Sequence, residues 1–373
     1  MTILTPDFIK ENIPMLGFGT MRFPQNGPSG KDIDIEKVKA MADHYMANGL
    51  NYFDTAFFYH DGHSENAVKE AVVKRFPRES FMLADKFPVW MAESAADVER
   101  IWNEQLERCG VDYFDFYLIH ALDGKKLDKN EELGAFDYFL KKKEEGKIKS
   151  LGFSFHGSAA DLRRIFETHP EMEFVQLQIN YYDWEFEARE FYEIARSHNK
   201  PIIIMEPIRG GFLAKMPNEI EAIFKAANPD MSIASWAMRW VASLEGVMTV
   251  LSGMSNQEQM EDNVSYMKDF QPLTDAEQET VKQAVKTLLE APTIPCTNCK
   301  YCIECPIEIP IFEAFDMYNG FVNDKNVSNF KREYKTIDVS KNAAACIECG
   351  FCESVCPQNI EIIDKLADIA ALA

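Results

Sequence analysis

Between residues 15 and 270, eight short β-type runs alternate with helical patterns: "MLGFGT", "NYFDTA", "FMLADKF", "DFYLIH", "KSLGFSF", "FVQLQIN", "PIIIMEP" and "VMTVLSG". The intervening stretches, such as "IEKVKAMADHYMANG" and "DVERIWNEQLERCG", are amphipathic at helical spacing, and several stop at a glycine that can take the left-handed conformation of a helix end. A buried strand followed by a helix and then another buried strand implies parallel pairing with a helical crossover. Eight such units predict an α/β fold, a closed (β/α)8 TIM barrel. An open doubly wound sheet is the alternative, but it seldom has eight such regular units, and no G-x-G-x-x-G follows the first run.

The pattern changes after residue 273. "TDAEQETVKQAVKTLLEA" reads as a helix capped by Thr274, with Glu277 three positions on, and "PTIP" then breaks it at Pro292 and Pro295. The expected organisation is a barrel over 1–291 and a small, mostly helical domain over 292–373. The second part holds eight of the nine cysteines. They fall in two runs, "CTNCKYCIECP" and "CIECGFCESVCP", each opening C-x2-C-x2-C.

Three thiolates so close in sequence suit three irons of one cubane, and the fourth, before proline, normally ligates the other cluster of a pair. That rule assigns Cys296, Cys299, Cys302 and Cys356 to one [4Fe-4S] cluster and Cys346, Cys349, Cys352 and Cys305 to a second. The first run departs from the usual spacing, with two residues instead of three before its fourth cysteine. A structural zinc site needs only four ligands, and disulfides are disfavoured in a reducing compartment. Cys109 stands alone at the end of a helical pattern and reads as a buried structural residue.

The net charge of −21 excludes a preference for nucleic acid or anionic membranes. No stretch approaches the roughly 20 apolar residues of a membrane span, and no secretory leader is visible. A soluble, cytoplasmic protein is expected.

In a (β/α)8 barrel, chemistry gathers where the strands end. The second run ends in Asp54, with Tyr59 five residues on; the third carries Lys86 and the fourth His120. Any one of these alone reads as a salt bridge, a packed ring or a satisfied imidazole. Together on consecutive strands, they suit carbonyl reduction. A phenol with an ordinary pKa near 10 is a weak acid at neutral pH. A neighbouring ammonium should lower that pKa, a carboxylate should orient the ammonium, and the imidazole should position the carbonyl oxygen. Phe57, Phe58, Phe87, Trp90, Phe155, Tyr181, Tyr182 and Trp184 lie near strand ends; more are expected in the core than in a pocket, and their number points to an apolar or ring-shaped substrate.

Over residues 15 to about 270 the sequence resembles the aldo-keto reductase family, through "MLGFGTMRF", "NYFDTAFFY", "DKF", "DFYLIH", "GKIKSLGFS", "VQLQINYY" and "SGMSNQEQMEDNV". With its tail, it resembles those members that carry a C-terminal 4Fe-4S dicluster domain. The resemblance places the catalytic tetrad on Asp54, Tyr59, Lys86 and His120, and the nicotinamide contacts on Ser154 and Gln176. It places an adenine contact on Asn263. It also implies that "PIRGG", with Arg209, Gly210 and Gly211, runs along the cofactor's phosphates, although a Gly-Gly helix cap explains the same residues. Gly253 and Gln259 stand where NADPH-selective members carry cations, so NADH preference or weak discrimination is expected, with Arg209 as another source of positive charge. Phe155 follows Ser154 where the family often has a polar residue.

The expected function is an oxidoreductase acting on a small carbonyl compound with NAD(P)H, electrons being relayed through the two clusters. Because clusters pass single electrons and a nicotinamide passes a hydride, FMN is a further candidate cofactor, its phosphate on the same glycines. An electron-carrier protein is the expected macromolecular partner, in an anaerobic or microaerobic host. The alternatives are an electron-transfer or ligand-sensing protein whose barrel is not catalytic, and clusters that only staple the fold.

Overall fold

The computed structural model describes residues 4–27, 31–356 and 358–373. All eight expected runs form strands: β1 Leu16–Gly19, β2 Tyr52–Asp54, β3 Met82–Phe87, β4 Phe114–Leu122, β5 Ile148–Phe155, β6 Val175–Gln178, β7 Ile202–Met205 and β8 Val247–Ser252. Each pairs in parallel with its sequence neighbour, and β8 returns to β1, so the sheet closes into the barrel that the alternation predicts.

Inward positions follow the two-residue period of a strand. Tyr52, Ala84, Phe116, Leu118, Phe174, Ile203 and Met248 form a buried cluster, joined by Leu251 and Ile13, and Phe8 and Ile9 of the helix Pro6–Asn12 pack against it. Two residues beyond Tyr52 comes Asp54; two beyond Ala84 comes Lys86; two beyond Leu118 comes His120. The same period that buries apolar side chains low in the barrel therefore delivers polar ones at the C-terminal strand ends. Register keeps them level: Asp54 pairs with Ala84, Lys86 with Leu118, and Ser154 with Gln176.

The chain divides into two compact units. The first comprises Met1–Pro207 with Met238–Pro272 and contains the whole barrel sheet; the second comprises Ile208–Ala237 with Leu273–Ala373. Among its described residues the second unit is helical, without strands. Thr274 and Glu277 cap the helix Asp275–Glu290 reciprocally, as their spacing predicts. A second core of Ile294, Ile309, Ile311, Phe315, Phe330, Ile360, Ile362, Leu366 and Ile369 underlies the cysteine runs, with Cys352 buried in it. Asn319 ties the entry segment down by accepting from the Ile294 N–H and donating to its carbonyl, both at 2.8 Å.

Candidate active site and cysteine centres

At the barrel mouth the Lys86 ammonium is fully buried. It donates to Asp54 Oδ1 at 2.5 Å and to the Thr55 carbonyl at 2.7 Å. Its Nζ lies 5.0 Å from the centre of the Tyr59 ring. The His120 ring lies 6.1 Å from that of Tyr59, stacks on Phe58 at 5.2 Å and meets Trp90 at 5.2 Å. The four residues named from the sequence are thus brought together, with two of the eight aromatics beside them. Phe57, Phe87, Phe155 and Tyr181 are core.

The electrostatics differ from the sequence expectation at one point. Burial pushes the Tyr59 phenol well above its ordinary range, and the negative charges of Asp54, Glu206 and Asp85 push it the same way. The Lys86 ammonium, bonded to Asp54 and the Thr55 carbonyl, does not bring the phenol back to its ordinary range. Burial also raises the Asp54 carboxyl, with Lys86 opposing. His120 is held well below its usual range by burial, then by Lys86, His156 and Lys126, so its imidazole is neutral. The mouth therefore offers a protonated phenol and a neutral ring.

Three buried polar atoms here make no hydrogen bond: Asp54 Oδ2, His120 Nδ1 and Gln176 Oε1. Buried polar atoms are rarely left so unless something else supplies the partner. Gln176 donates its N–H to Met205 Sδ at 3.4 Å, leaving its carbonyl oxygen as an acceptor suited to a carboxamide N–H. Ser154 Oγ accepts from the Ala121 N–H at 2.7 Å. Asn263 donates to Ser252 Oγ at 2.6 Å and accepts from the Tyr266 hydroxyl. These residues fit a nicotinamide coenzyme.

Arg209, Gly210 and Gly211 belong to the second unit. Arg209 donates through Nη1 to the Pro295 carbonyl and through Nη2 to Gln358 Oε1, the latter at 2.6 Å. Gly210, at φ +64°, has no room for a side chain: a Cβ would lie 1.9 Å from the Thr297 carbonyl oxygen. Gly211, at φ +103°, faces open space. Two of the three are thus engaged by the segment that carries the cysteines.

The eight clustered cysteines line two hollows. Cys296, Cys299, Cys302 and Cys356 line one; Cys305, Cys346, Cys349 and Cys352 line the other. This is the grouping that the spacing predicts. The two runs also share a backbone. Asn298 and Lys300 have φ of +51° and +66°; Glu348 and Gly350, at matching places, have +54° and +75°. Glu308 and Asn359, each three residues past the fourth cysteine, have +56° and +50°. The left-handed turns aim the Asn298 N–H at Cys296 Sγ and the Glu348 N–H at Cys346 Sγ, both at 3.4 Å. Non-glycine residues enter this region at a cost of about 1–3 kcal/mol each, so the matched set marks two cradles built alike. Burial pushes the Cys296 and Cys352 thiols up to about 11 and the Cys302 thiol to about 12. Four soft sulfur donors in an otherwise largely apolar hollow fit an iron–sulfur cluster.

A family model described as "Aldo/keto reductase family" matches residues 15–286. The chain belongs to that family. A second model, "4Fe-4S dicluster domain", matches residues 295–361, so this aldo/keto reductase carries that domain C-terminal to the barrel in sequence. Among its relatives is the uncharacterized oxidoreductase YqkF of Bacillus subtilis, 24% identical, with 67% of this chain and 89% of that protein aligned. The NADH-specific methylglyoxal reductase of Escherichia coli is 22% identical over 64% of this chain and 85% of its own length. The aldo-keto reductase AKR11C1 of Bacillus halodurans shares the fold, with a TM-score of 0.59 and 23% identity over 73% of this chain and 92% of that one. An aldo/keto reductase of Klebsiella pneumoniae, solved in complex with NADP and acetate, gives a TM-score of 0.58 at 22% identity, covering 73% and 91%. No helix among the described residues is long and apolar enough to cross a membrane.

A group that sequence reasoning missed lies behind Lys86. Asp85, one residue earlier and so on the opposite face of β3, meets Glu65 and Cys109, all three fully buried. Arg108 donates to Glu65 Oε2 at 3.1 Å, and Cys109 lies 3.6 Å from Asp85 Oδ2. Burial and then the charge of Asp85 push Glu65 up to about 10, so Glu65 is a neutral acid beside a carboxylate. The "DK" pair in "LADKF" was the available signal: in a strand buried on both faces, the residue before an inward lysine needs a partner of its own.

Proposed function

We propose that this aldo/keto reductase interconverts a small carbonyl compound and its alcohol at the barrel mouth, using Asp54, Tyr59, Lys86 and His120. The observation that carries the reading is the buried Lys86–Asp54 pair at 2.5 Å, with Tyr59 and a neutral His120 alongside. Ser154, Gln176 and Asn263 would hold NAD(P)H, which supplies the hydride. Tyr59, protonated at rest, donates its proton to the carbonyl oxygen as negative charge develops there. The Lys86 ammonium then stabilises the phenolate left behind, Asp54 keeps the lysine charged, and His120 offers a neutral ring N–H to the same oxygen. The name of the NADH-specific relative and the cation-free positions Gly253 and Gln259 support NADH over NADPH.

Cys296, Cys299, Cys302 and Cys356 would hold one [4Fe-4S] cluster, and Cys305, Cys346, Cys349 and Cys352 the other; these supply one-electron storage and transfer. We place the redox module at 292–373 and the catalytic barrel at 1–291, and take a one-electron carrier protein as the partner in an anaerobic cytoplasm. FMN remains the second candidate for joining one- and two-electron chemistry, with Gly211 the open glycine of the "PIRGG" loop. Anaerobic purification followed by iron and sulfide counting, and mass spectrometry of the bound coenzyme, tests the assignment. Eight irons and a nicotinamide support it; zinc in place of iron, or a coenzyme of another class, overturns it.

A further inference from the structure

The two cysteine cradles repeat one another, which gives the second unit an internal control. Pro295 precedes Cys296 as Ala345 precedes Cys346, and Gln358 stands two residues past Cys356 as Ile307 stands two past Cys305. Arg209 bonds to both of the first pair, the Pro295 carbonyl and the Gln358 side chain. These flank the first and last cysteines of a single hollow. At the twin hollow the place of Gln358 is taken by Ile307, which has no acceptor side chain. Lys300 lines the first hollow; glycine, Gly350, holds the matching place in the second. The remaining wall of the second hollow is apolar: Pro306, Ile309, Ile311, Phe351, Ile363 and Leu366 among others. Arg209 is only 4% exposed, so little water screens its charge.

We propose that Arg209 is a positioning residue for the centre held by Cys296, Cys299, Cys302 and Cys356, and that its charge makes this centre easier to reduce than its twin. The inference rests on the cluster reading above. Reduction adds negative charge to the centre, and a fixed, desolvated cation beside it favours the added charge. Charge and hydrogen bonds around a cluster are established levers on its potential. The two hydrogen bonds also join segments 63 residues apart, Pro295 and Gln358 (358 − 295), holding the outer ligands of one cradle in place. Nothing equivalent lines the other cradle among the described residues.

The test is a potentiometric titration followed by electron paramagnetic resonance, on anaerobically prepared full-length chain: wild type, Arg209→Gln and Arg209→Lys. The wild type should titrate in two separate waves. In Arg209→Gln the upper wave should fall so that, at its original midpoint, at least tenfold less of the centre is reduced, a shift of about 59 mV for one electron. The lower wave should stay in place. Arg209→Lys, which keeps the charge, should keep the upper wave. An unmoved upper wave in an Arg209→Gln protein that retains eight irons overturns the proposal, as do two waves that move together. If Arg209→Gln loses iron, Arg209→Lys decides: iron retained with an unmoved wave supports the proposal. A dropped wave, or iron lost from both variants, overturns it. Zinc instead of iron in the wild type would sink the function proposed above, and this inference with it; eight irons with no effect of Arg209 would sink the inference alone.

Discussion

The barrel mouth and the cysteine cradles solve one problem by opposite means. Both must hold reactive groups in fixed geometry with little water. At the mouth the chain supplies everything that positions the groups: Lys86 is gripped by Asp54 and the Thr55 carbonyl, and the strand register sets the heights. In the cradles the chain supplies sulfur and strained turns, and among the described residues a cation, Lys300, lines only the first hollow. Thiols that burial holds at about 11–12 are not thiolates at neutral pH until a metal takes the proton's place. The first region is tied together by its own hydrogen bonds and packing, whereas in the second the sulfurs line a hollow across which only a ligand would join them. Precision from packing and precision from ligation thus coexist in one chain, and they should fail under different insults.

The sharpest way to break this contrast is to remove iron. Chelation under reducing, anaerobic conditions should abolish the ordered state of the cysteine-bearing segment, seen as loss of protection in hydrogen exchange across 295–361. Protection of β1–β8 should persist; simultaneous loss in the strands would show that the two regions are not organised differently. Next in size, Tyr59→Phe should lower turnover on the order of 10²–10⁴-fold while leaving the iron content unchanged. A variant with near-normal rate would remove the mouth from the chemistry.

A smaller effect is expected at Gln176. Gln176→Ala removes an acceptor whose bond is worth about 1 kcal/mol, so KM for the coenzyme should rise several-fold with kcat little changed. An unchanged KM would mean that the unpaired oxygen has no nicotinamide partner. In the pH profile, His120 should contribute no limb near its ordinary range, because burial keeps the ring neutral throughout. A limb near pH 6.5 abolished by His120→Gln would contradict that.

The remaining effect is on stability and concerns Glu65. Its carboxyl is raised in the folded state from an ordinary 4.5 to about 10. The folded chain therefore keeps a proton that the unfolded chain releases. Stability from this group is fully present below pH 4.5 and declines as pH rises towards 10. Glu65→Gln, which mimics the neutral acid, should flatten the alkaline arm of a denaturation-midpoint profile. An arm as steep as the wild type's would show that Glu65 is not the group holding the proton.

How much of this was legible in the sequence depends on distance along the chain. The strands were legible because burial imposes a short period, and that period carries Asp54, Lys86 and His120 to their places. The cysteine grouping was legible because liganding fixes spacing within each run. The environment of Tyr59 was not, since the charges that act on it come from Glu206, just past β7, and Asp85 on β3, both far away in sequence. Nor were the partners of Arg209: Gln358 lies 149 residues away, and "PIRGG" has a local explanation in phosphate binding that hides the distant one. Gly210 illustrates the same point, because the contact that forbids a side chain there comes from Thr297.

The cradles have one more consequence, for the order in which the chain is made. Each draws three sulfurs from one run and one from the other, so the runs are cross-laced. During synthesis, a chain that has emerged only through residue 345 owns four cysteines in a row yet can complete neither cradle. The second closes once residue 352 is out, and the first waits for residue 356. On the ligand sets proposed above, delivery of iron would be a late, paired event, and a nascent protein interrupted between the two runs would be left with three sulfurs in one place and a stray in the other.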